Sequence, residues 1–416
     1  MKIKKVSLPR DFSIVALFDI IAKFLAAITS VILIRVLSTP VYANYVKFNA
    51  ISSLIFGVIG TSMSVAYARG GTEYMSRGYK CLKTIYFMCF VLLFGTTLIF
   101  ILLTPALSKI YSTSILIVFF ALFYGFAQSM NRLNESYFQV KEEYSIAGML
   151  DNAKHLCLIL LLLLSAIVSL NLENNILFII FVFSAIMPVL IGLVLIYKRE
   201  KDVVDDNLGK EITKIIFSEA STLIVYWLLL NLIDQTDIVL VNKMLDDTAL
   251  SIYGVALKYY QLLLTFQASL GTVLRIRTSK KEVIDSKKKQ AEFSVGWIKK
   301  TGPFIFVIVI FANVFAGPAM NLLNGERYAQ AIPTFRIFII GAAISYLFAP
   351  NTSVMMSAKK HELLCVYTAI GFVVNASIDV LLIPKIGIIA AALASVSGNA
   401  FLNIASFITI VKTETN

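Results

Sequence analysis

Long apolar runs alternate with short charged segments along the whole chain. Ile85–Thr104 carries no charged residue, and neither does Leu156–Leu170. A helix needs ~20 apolar residues to cross the hydrocarbon core of a bilayer. Membrane strands would instead alternate over ~9–11 residues, and these runs are too long and too uniformly apolar for that. In hydrocarbon each segment must satisfy its own backbone hydrogen bonds, so the runs are predicted to be helices. The pattern places twelve spans at approximately 13–37, 42–66, 83–104, 112–131, 146–169, 175–197, 214–240, 248–274, 296–318, 332–354, 362–383 and 386–410. The predicted class is an all-α integral membrane protein with about 12 transmembrane helices.

The connections orient this map. With the N-terminus inside, the inner segments collect Lys2, Lys4, Lys5 and Arg10, then Arg77, Lys80, Lys141, Lys198, Arg199 and Lys201, and the run from Arg275 to Lys300. The outer connections hold only Lys109, Lys243, Arg327 and Lys385. Basic residues concentrate on cytoplasmic loops, so both termini are expected in the cytoplasm. The formal charge of +12 on 416 residues is then topology, and no nucleic-acid partner is expected. Lysines 280–300 are expected to meet membrane lipids of the inner leaflet, with Lys280–Glu292 as a short amphipathic helix.

Composition agrees with burial in lipid: 58% of residues are hydrophobic and 15% charged, against about 45–50% and 25% in soluble domains. Cys81, Cys89, Cys157 and Cys365 suggest neither a disulfide framework nor a metal cage. His155 and His361 are the only histidines, which makes a histidine metal site improbable. Short outer connections leave no room for the catalytic loop of a membrane polymerase or glycosyltransferase, so no enzyme and no catalytic residue is predicted.

The two halves resemble each other. LSTPVYANY over Leu37–Tyr45 matches LDDTALSIY over Leu245–Tyr253, at an offset of 208 residues, half the chain. Arg35 meets Lys243 and Arg69 meets Arg277 at the same offset. An even number of spans per repeat gives both halves one orientation, as in transporters that hold substrate between repeats. The predicted division is a six-helix lobe over 1–200, a cytoplasmic linker over 201–213 and a second six-helix lobe over 214–416.

Charges inside spans cost about 2.5–3.5 kcal/mol each at the helix centre, so each needs a reason. Lys23, Lys47 and Lys258 lie within spans 1, 2 and 8, and Arg35 lies near the outer end of span 1. Together they suggest a cationic cavity for an anionic substrate. Asp19 is four residues from Lys23 and could simply neutralise it. Lys258 could pair with Asp234. Lys47 has no carboxylate close in sequence. Asp19, Glu219, Asp234 and Asp237 are candidates for coupling to Na+ or H+, and Asp379 lies inside span 11; structural pairing explains each equally well. Tyr42, Tyr45, Tyr111 and Tyr328 fall near span edges, where aromatic side chains commonly anchor to the interface.

Several stretches carry a family resemblance. LLNGERY over Leu322–Tyr328, followed by Ala331, Phe335 and Arg336, and NASIDVLLIPKIGIIAAALA over Asn375–Ala394 look like stretches of the polysaccharide-export flippases. DIVLVNKML over Asp237–Leu245 and IYGVALKYYQLL over Ile252–Leu263 resemble the start of that family's second half. Ala390 and Ser251 stand where glycine is usual. The family includes the O-antigen flippases and belongs to a superfamily with the MATE drug exporters and the lipid II flippase. The resemblance implies two six-helix lobes with alternating access and a site in the bacterial inner membrane. It implies a role in lipopolysaccharide or related surface polysaccharide biosynthesis. The implied substrate is an undecaprenyl-pyrophosphate-linked oligosaccharide, with a polysaccharide polymerase and a chain-length regulator as working partners. Lys23, Lys47 and Lys258 occupy the spans whose basic residues line the cavity of the lipid II flippase, and Arg35 joins them. A cation-coupled multidrug exporter of the same fold is the alternative.

The map is tested by reporters active only outside the cytoplasm. Fusions at Asp205 and Ser286 are expected to be silent and a fusion at Asp246 active; the reverse pattern overturns the orientation.

Overall fold

The computed structural model describes residues 10–76, 82–168, 174–199, 206–278, 286–358 and 360–412, together with 170 and 172. Among the described residues the regular structure is helical. The elements are α1 (Arg10–Val36), α2 (Thr39–Ser53), a π-helical segment (Leu54–Gly60), α3 (Thr61–Ser76), α4 (Leu82–Leu102), α5 (Thr104–Ile110), α6 (Ile115–Val140), α7 (Tyr144–Ile167) and α8 (Asn174–Arg199). They continue as α9 (Asp206–Met244), α10 (Asp247–Thr278), α11 (Lys287–Asn324), a 3-10 turn (Glu326–Tyr328), α12 (Ala331–Leu347), α13 (Ala349–Ser357), α14 (His361–Ile386) and α15 (Ile388–Lys412).

Ten of these segments are long and apolar enough to cross a membrane, and α12 with α13, bent by 41°, makes an eleventh. The twelfth position is α10, a helix as expected but too polar for the same criterion. Its stretch over residues 250–257 is buried in protein throughout, so it need not be apolar towards lipid. Of the linker expected over 201–213, Asp206 onward is already α9, and 201–205 lie outside the described residues. The amphipathic helix expected over Lys280–Glu292 is, from Lys287, the first turn of α11; Lys280–Asp285 lie outside the described residues.

The repeat is visible in the element boundaries. α1 ends at Val36 and α2 starts at Thr39, while α9 ends at Met244 and α10 starts at Asp247, the same corner 208 residues on. The resemblance motifs are helix stops. Gly325 (φ 73°) ends α11 and Gly387 (φ 64°) separates α14 from α15, both in the left-handed region that costs glycine nothing.

The chain forms two compact units. Unit 1 holds the chain up to Thr29, Ile51–Ser108 and Ser114–Ile224; unit 2 holds Ser30–Ala50, Lys109–Thr113 and Val225–Asn416. In unit 1, α6 is central. Asn134 on it accepts from Tyr86 Oη of α4 at 2.5 Å and donates to the Val189 carbonyl of α8 at 3.2 Å. In unit 2, α14 and α15 cross very closely. A Cβ on Gly371 would lie 2.7 Å from the Gly398 carbonyl oxygen, and one on Gly398 2.6 Å from that of Gly371. Small residues allow such backbone approach between apolar helices.

That crossing predicts a contrast. Gly398→Leu is expected to destabilise the detergent-solubilised protein by ~1–3 kcal/mol or more through overpacking. Gly271→Ala, where an added Cβ meets nothing within 4 Å, is expected to be neutral or stabilising. Thermal unfolding of both variants checks this.

Candidate functional site

The close α14–α15 crossing brings polar groups together inside unit 2. Asp237 of α9 is fully buried and accepts three side-chain hydrogen bonds. Tyr253 Oη of α10 donates to Oδ2 at 2.6 Å, Asn375 Nδ2 of α14 donates to Oδ1 at 2.7 Å, and the Ser395 hydroxyl of α15 donates to Oδ2. Asp379, one turn beyond Asn375, is also fully buried and within hydrogen-bonding reach of Asp237. Both Asp379 carboxylate oxygens and Asn375 Oδ1 have no donor among the described residues. Two carboxylates and an amide oxygen thus converge with no base beside them. Buried acceptors without donors are costly, and two adjacent carboxylates cannot both stay ionised unless something positive lies between them. The donor set, all oxygen, fits a proton or a small hard cation. Among the described residues no group of three or more His, Cys, Asp or Glu side chains forms a metal cluster. The sequence singled out Asp237 here and noted Asp379 only as an intramembrane charge. Asn375, Ser395 and Tyr253 went unseen as a site, although Asn375 and Asp379 share a helix face four residues apart.

The other acidic candidates differ. Asp234 is half-buried and lies within electrostatic range of Tyr260. Lys258 is two residues before Tyr260, about 200° around α10, so the pair with Asp234 is not formed. Lys258 remains half-buried without an ion pair among the described residues. Asp19 accepts from Lys23 Nζ at 2.6 Å, with side chains 41% and 10% exposed, the expected i,i+4 neutralisation. The Glu219 side chain lies outside the described residues.

Unit 1 holds a further polar band at the depth of that pair. Arg132 Nη1 donates to Glu135 Oε2 at 2.9 Å, and Asn131 Nδ2 to Glu135 Oε1 at 2.8 Å. Lys154 pairs with Asp151 at 2.9 Å. Arg132 lies within electrostatic range of Asp151 and Asp19. Asn152 Nδ2 donates to the Phe18 carbonyl at 3.0 Å and fastens α7 to α1. The charges compensate one another across three helices.

Lys47 and Arg35 are engaged by protein. Lys47 Nζ is 2.6 Å from Asp247 Oδ1 and 3.2 Å from the Ser112 carbonyl, and its side chain is 2% exposed. Its partner lies 200 residues away, beyond any sequence-local search, in the first turn of α10, where an acidic group is favoured by the helix dipole. Arg35 donates from Nε to the Leu323 carbonyl at 2.5 Å and from Nη2 to the Leu322 carbonyl at 2.6 Å, capping the end of α11. Arg327 returns the bond to the Ile34 carbonyl at the end of α1. Tyr42, Tyr45, Tyr111 and Tyr328 are buried rather than interfacial. Tyr42 packs on Tyr45 and Tyr328 at ring distances of 5.6 and 6.1 Å, so these rings are core within unit 2.

No family model matches the sequence, and no curated protein matches it. Solved structures do. A multidrug resistance MATE family transporter of the MOP superfamily, in an inward-facing conformation, superposes with a TM-score of 0.79 at 13% identity over 94% of each chain. The chain has a MATE-like fold. The lipid II flippase MurJ, described as inward closed, matches with a TM-score of 0.71 at 14% identity, over 96% of this chain and 91% of that one. The Vibrio cholerae MATE transporter VcmN matches at 0.67 and 14%, over 97% and 96%. The MATE-like fold expected from the motifs is therefore present, in a multi-pass membrane protein.

The Lys47 pair yields a double-mutant test. Asp247 is 55% exposed and can return to water, so Lys47→Met is expected to cost about 1–3 kcal/mol, less than breaking a wholly buried pair. Asp247→Asn in the Lys47→Met background is expected to cost little more. Thermal unfolding of the four proteins measures the coupling.

Proposed function

We propose that the protein is an ion-coupled flippase for undecaprenyl-pyrophosphate-linked oligosaccharide in the bacterial inner membrane. Asp237, Asp379, Asn375 and Ser395 hold the coupling cation or proton. The observation that carries the coupling is the fully buried Asp237–Asp379 pair with leftover acceptors and no basic partner. Binding a cation there joins α9, α14 and α15 through their side chains; release leaves two carboxylates in a dry interior and disfavours that arrangement. Coupling then follows as a difference in affinity between two conformations.

The substrate reading rests on basic side chains in apolar helices. Lys258, free of any ion pair among the described residues, is the cation best available to a diphosphate in unit 2. Lys23 and the half-exposed Arg132 are the counterparts in unit 1. Lys47 and Arg35 hold the protein together in the described state. The name of one structural neighbour, a lipid II flippase, supports a lipid-linked anionic cargo. A second reading, cation-coupled multidrug export, is favoured by the internal engagement of Lys47 and Arg35.

Complementation separates the readings. In cells lacking the native gene, Asp379→Asn and Asp237→Asn are expected to lower surface polysaccharide at least ~10-fold with unchanged protein level, and Lys258→Gln likewise, with partial function in Lys258→Arg. Normal polysaccharide in the Asp379→Asn and Asp237→Asn cells overturns the ion site. Normal polysaccharide without the gene, together with loss of cationic-dye efflux, favours drug export.

A further inference from the structure

One end of unit 2 carries lysines that the transport reading does not use. On α11, Lys287, Lys288, Lys289, Lys299 and Lys300 are exposed. Beyond them the exposed residues of the same helix become apolar: Phe304 is 69% exposed, Phe306 66%, Val307 63% and Phe311 62%. Side chains of this kind exposed in a row face hydrocarbon, so the change at Thr301 marks where the helix leaves it. An apolar cluster of Tyr226, Ala291, Val354, Met355, Leu364, Leu402 and Ile410 packs the first turns of α11 with α9, α13, α14 and α15. This brings Lys360 beside Lys287. Lys360 is held below the usual lysine range, first by burial and then by the Lys287 charge. Lys287, Lys288, Lys299, Lys300 and Lys360 form no ion pair among the described residues; Asp285, which lies outside the described residues, Glu292 and Glu362 are the carboxylates nearest in sequence. Lysines clustered beside lipid-facing apolar surface, and unpaired among the described residues, present positive charge to whatever anion lies at the membrane surface.

We propose that this end of unit 2 is a docking surface for the headgroups of anionic phospholipids. Charge complementarity and direct continuity with the lipid-facing surface of α11 select a lipid over a soluble partner. A lysine near an anionic membrane surface gains about fivefold in binding, so several acting together discriminate strongly between anionic and zwitterionic lipid. The attraction falls as salt shortens the screening length.

The test uses the full chain, purified and delipidated in detergent, with thermal unfolding as the readout. Phosphatidylglycerol is expected to raise the unfolding temperature at concentrations at least ~10-fold below those needed with phosphatidylcholine, and salt is expected to weaken the effect. Substituting glutamine for Lys287, Lys288, Lys299, Lys300 and Lys360 together is expected to abolish the preference, and arginine at the same positions to keep it. Lys243→Gln with Lys385→Gln, at the opposite ends of α9 and α14, is expected to leave it unchanged. Equal response of the unaltered protein to both lipids overturns the proposal, whatever the variants do. An equal response to inorganic phosphate overturns it too, since the site then reads a free anion. Because the readout is lipid binding, failure here is distinguishable from failure of the transport reading.

Discussion

Asp237 accepts hydrogen bonds from three other helices in a place water does not reach. A buried carboxylate is stable only if its charge is met or removed, and that demand organises the second unit. Tyr253 fixes α10, Asn375 fixes α14 and Ser395 fixes α15 against α9. The partners also explain the stripped-down helix surfaces nearby. Gly371 and Gly398 give up side chains so that α14 and α15 approach closely enough for Asn375 and Ser395 to reach one carboxylate. The cost of this arrangement is Asp379, placed against Asp237 with no donor left for it.

Polar groups elsewhere follow the opposite policy. In the polar band of unit 1 charges meet opposite charges: Lys23 with Asp19, Arg132 with Glu135, Lys154 with Asp151. Arg35 and Arg327 use backbone carbonyls at helix ends, where the dipole is negative. Lys47 takes both a carboxylate and a carbonyl. Among the described residues the Asp237–Asp379 pair is where two fully buried acidic groups lie together without a basic partner, so unfavourable electrostatics are concentrated there. Such concentration is what a switch requires, because the binding of a single positive charge changes the local energy most where none is already present.

The lysines outside the hydrocarbon obey a third rule. They are cheap to keep in water, so burial does not dictate their partners, and their clustering at one end of unit 2 follows from the packing of α9, α11, α13, α14 and α15 around a common apolar cluster. Lys360 is beside Lys287 because Leu364 and Ala291 pack together, not because the lysines attract.

Much of the architecture was legible in the chain itself. Helices follow from length and hydropathy, since a backbone in hydrocarbon has no other solution within one segment. The corner at Leu37–Tyr45 and its copy at Leu245–Tyr253 gave the repeat, because the same turn needs the same residue types. Asp19–Lys23 was readable for a similar reason: partners four apart on one helix are local. The rest depended on contacts between residues far apart in sequence. Nothing local to Lys47 announces Asp247, 200 residues on, and nothing local to Tyr42 announces Tyr328; both sets of residues therefore looked exposed or available until packing placed them in a core. Adjacent spans allow Lys258 a pair with Asp234, but the rotation of α10 about its own axis, which periodicity alone does not fix, brings Tyr260 rather than Lys258 near it. The acidic site was half visible for the same reason. Asn375 and Asp379 share one helix face and could be read together, whereas Asp237, Tyr253 and Ser395 join them only when three more helices cross at one depth, a choice made by tertiary packing.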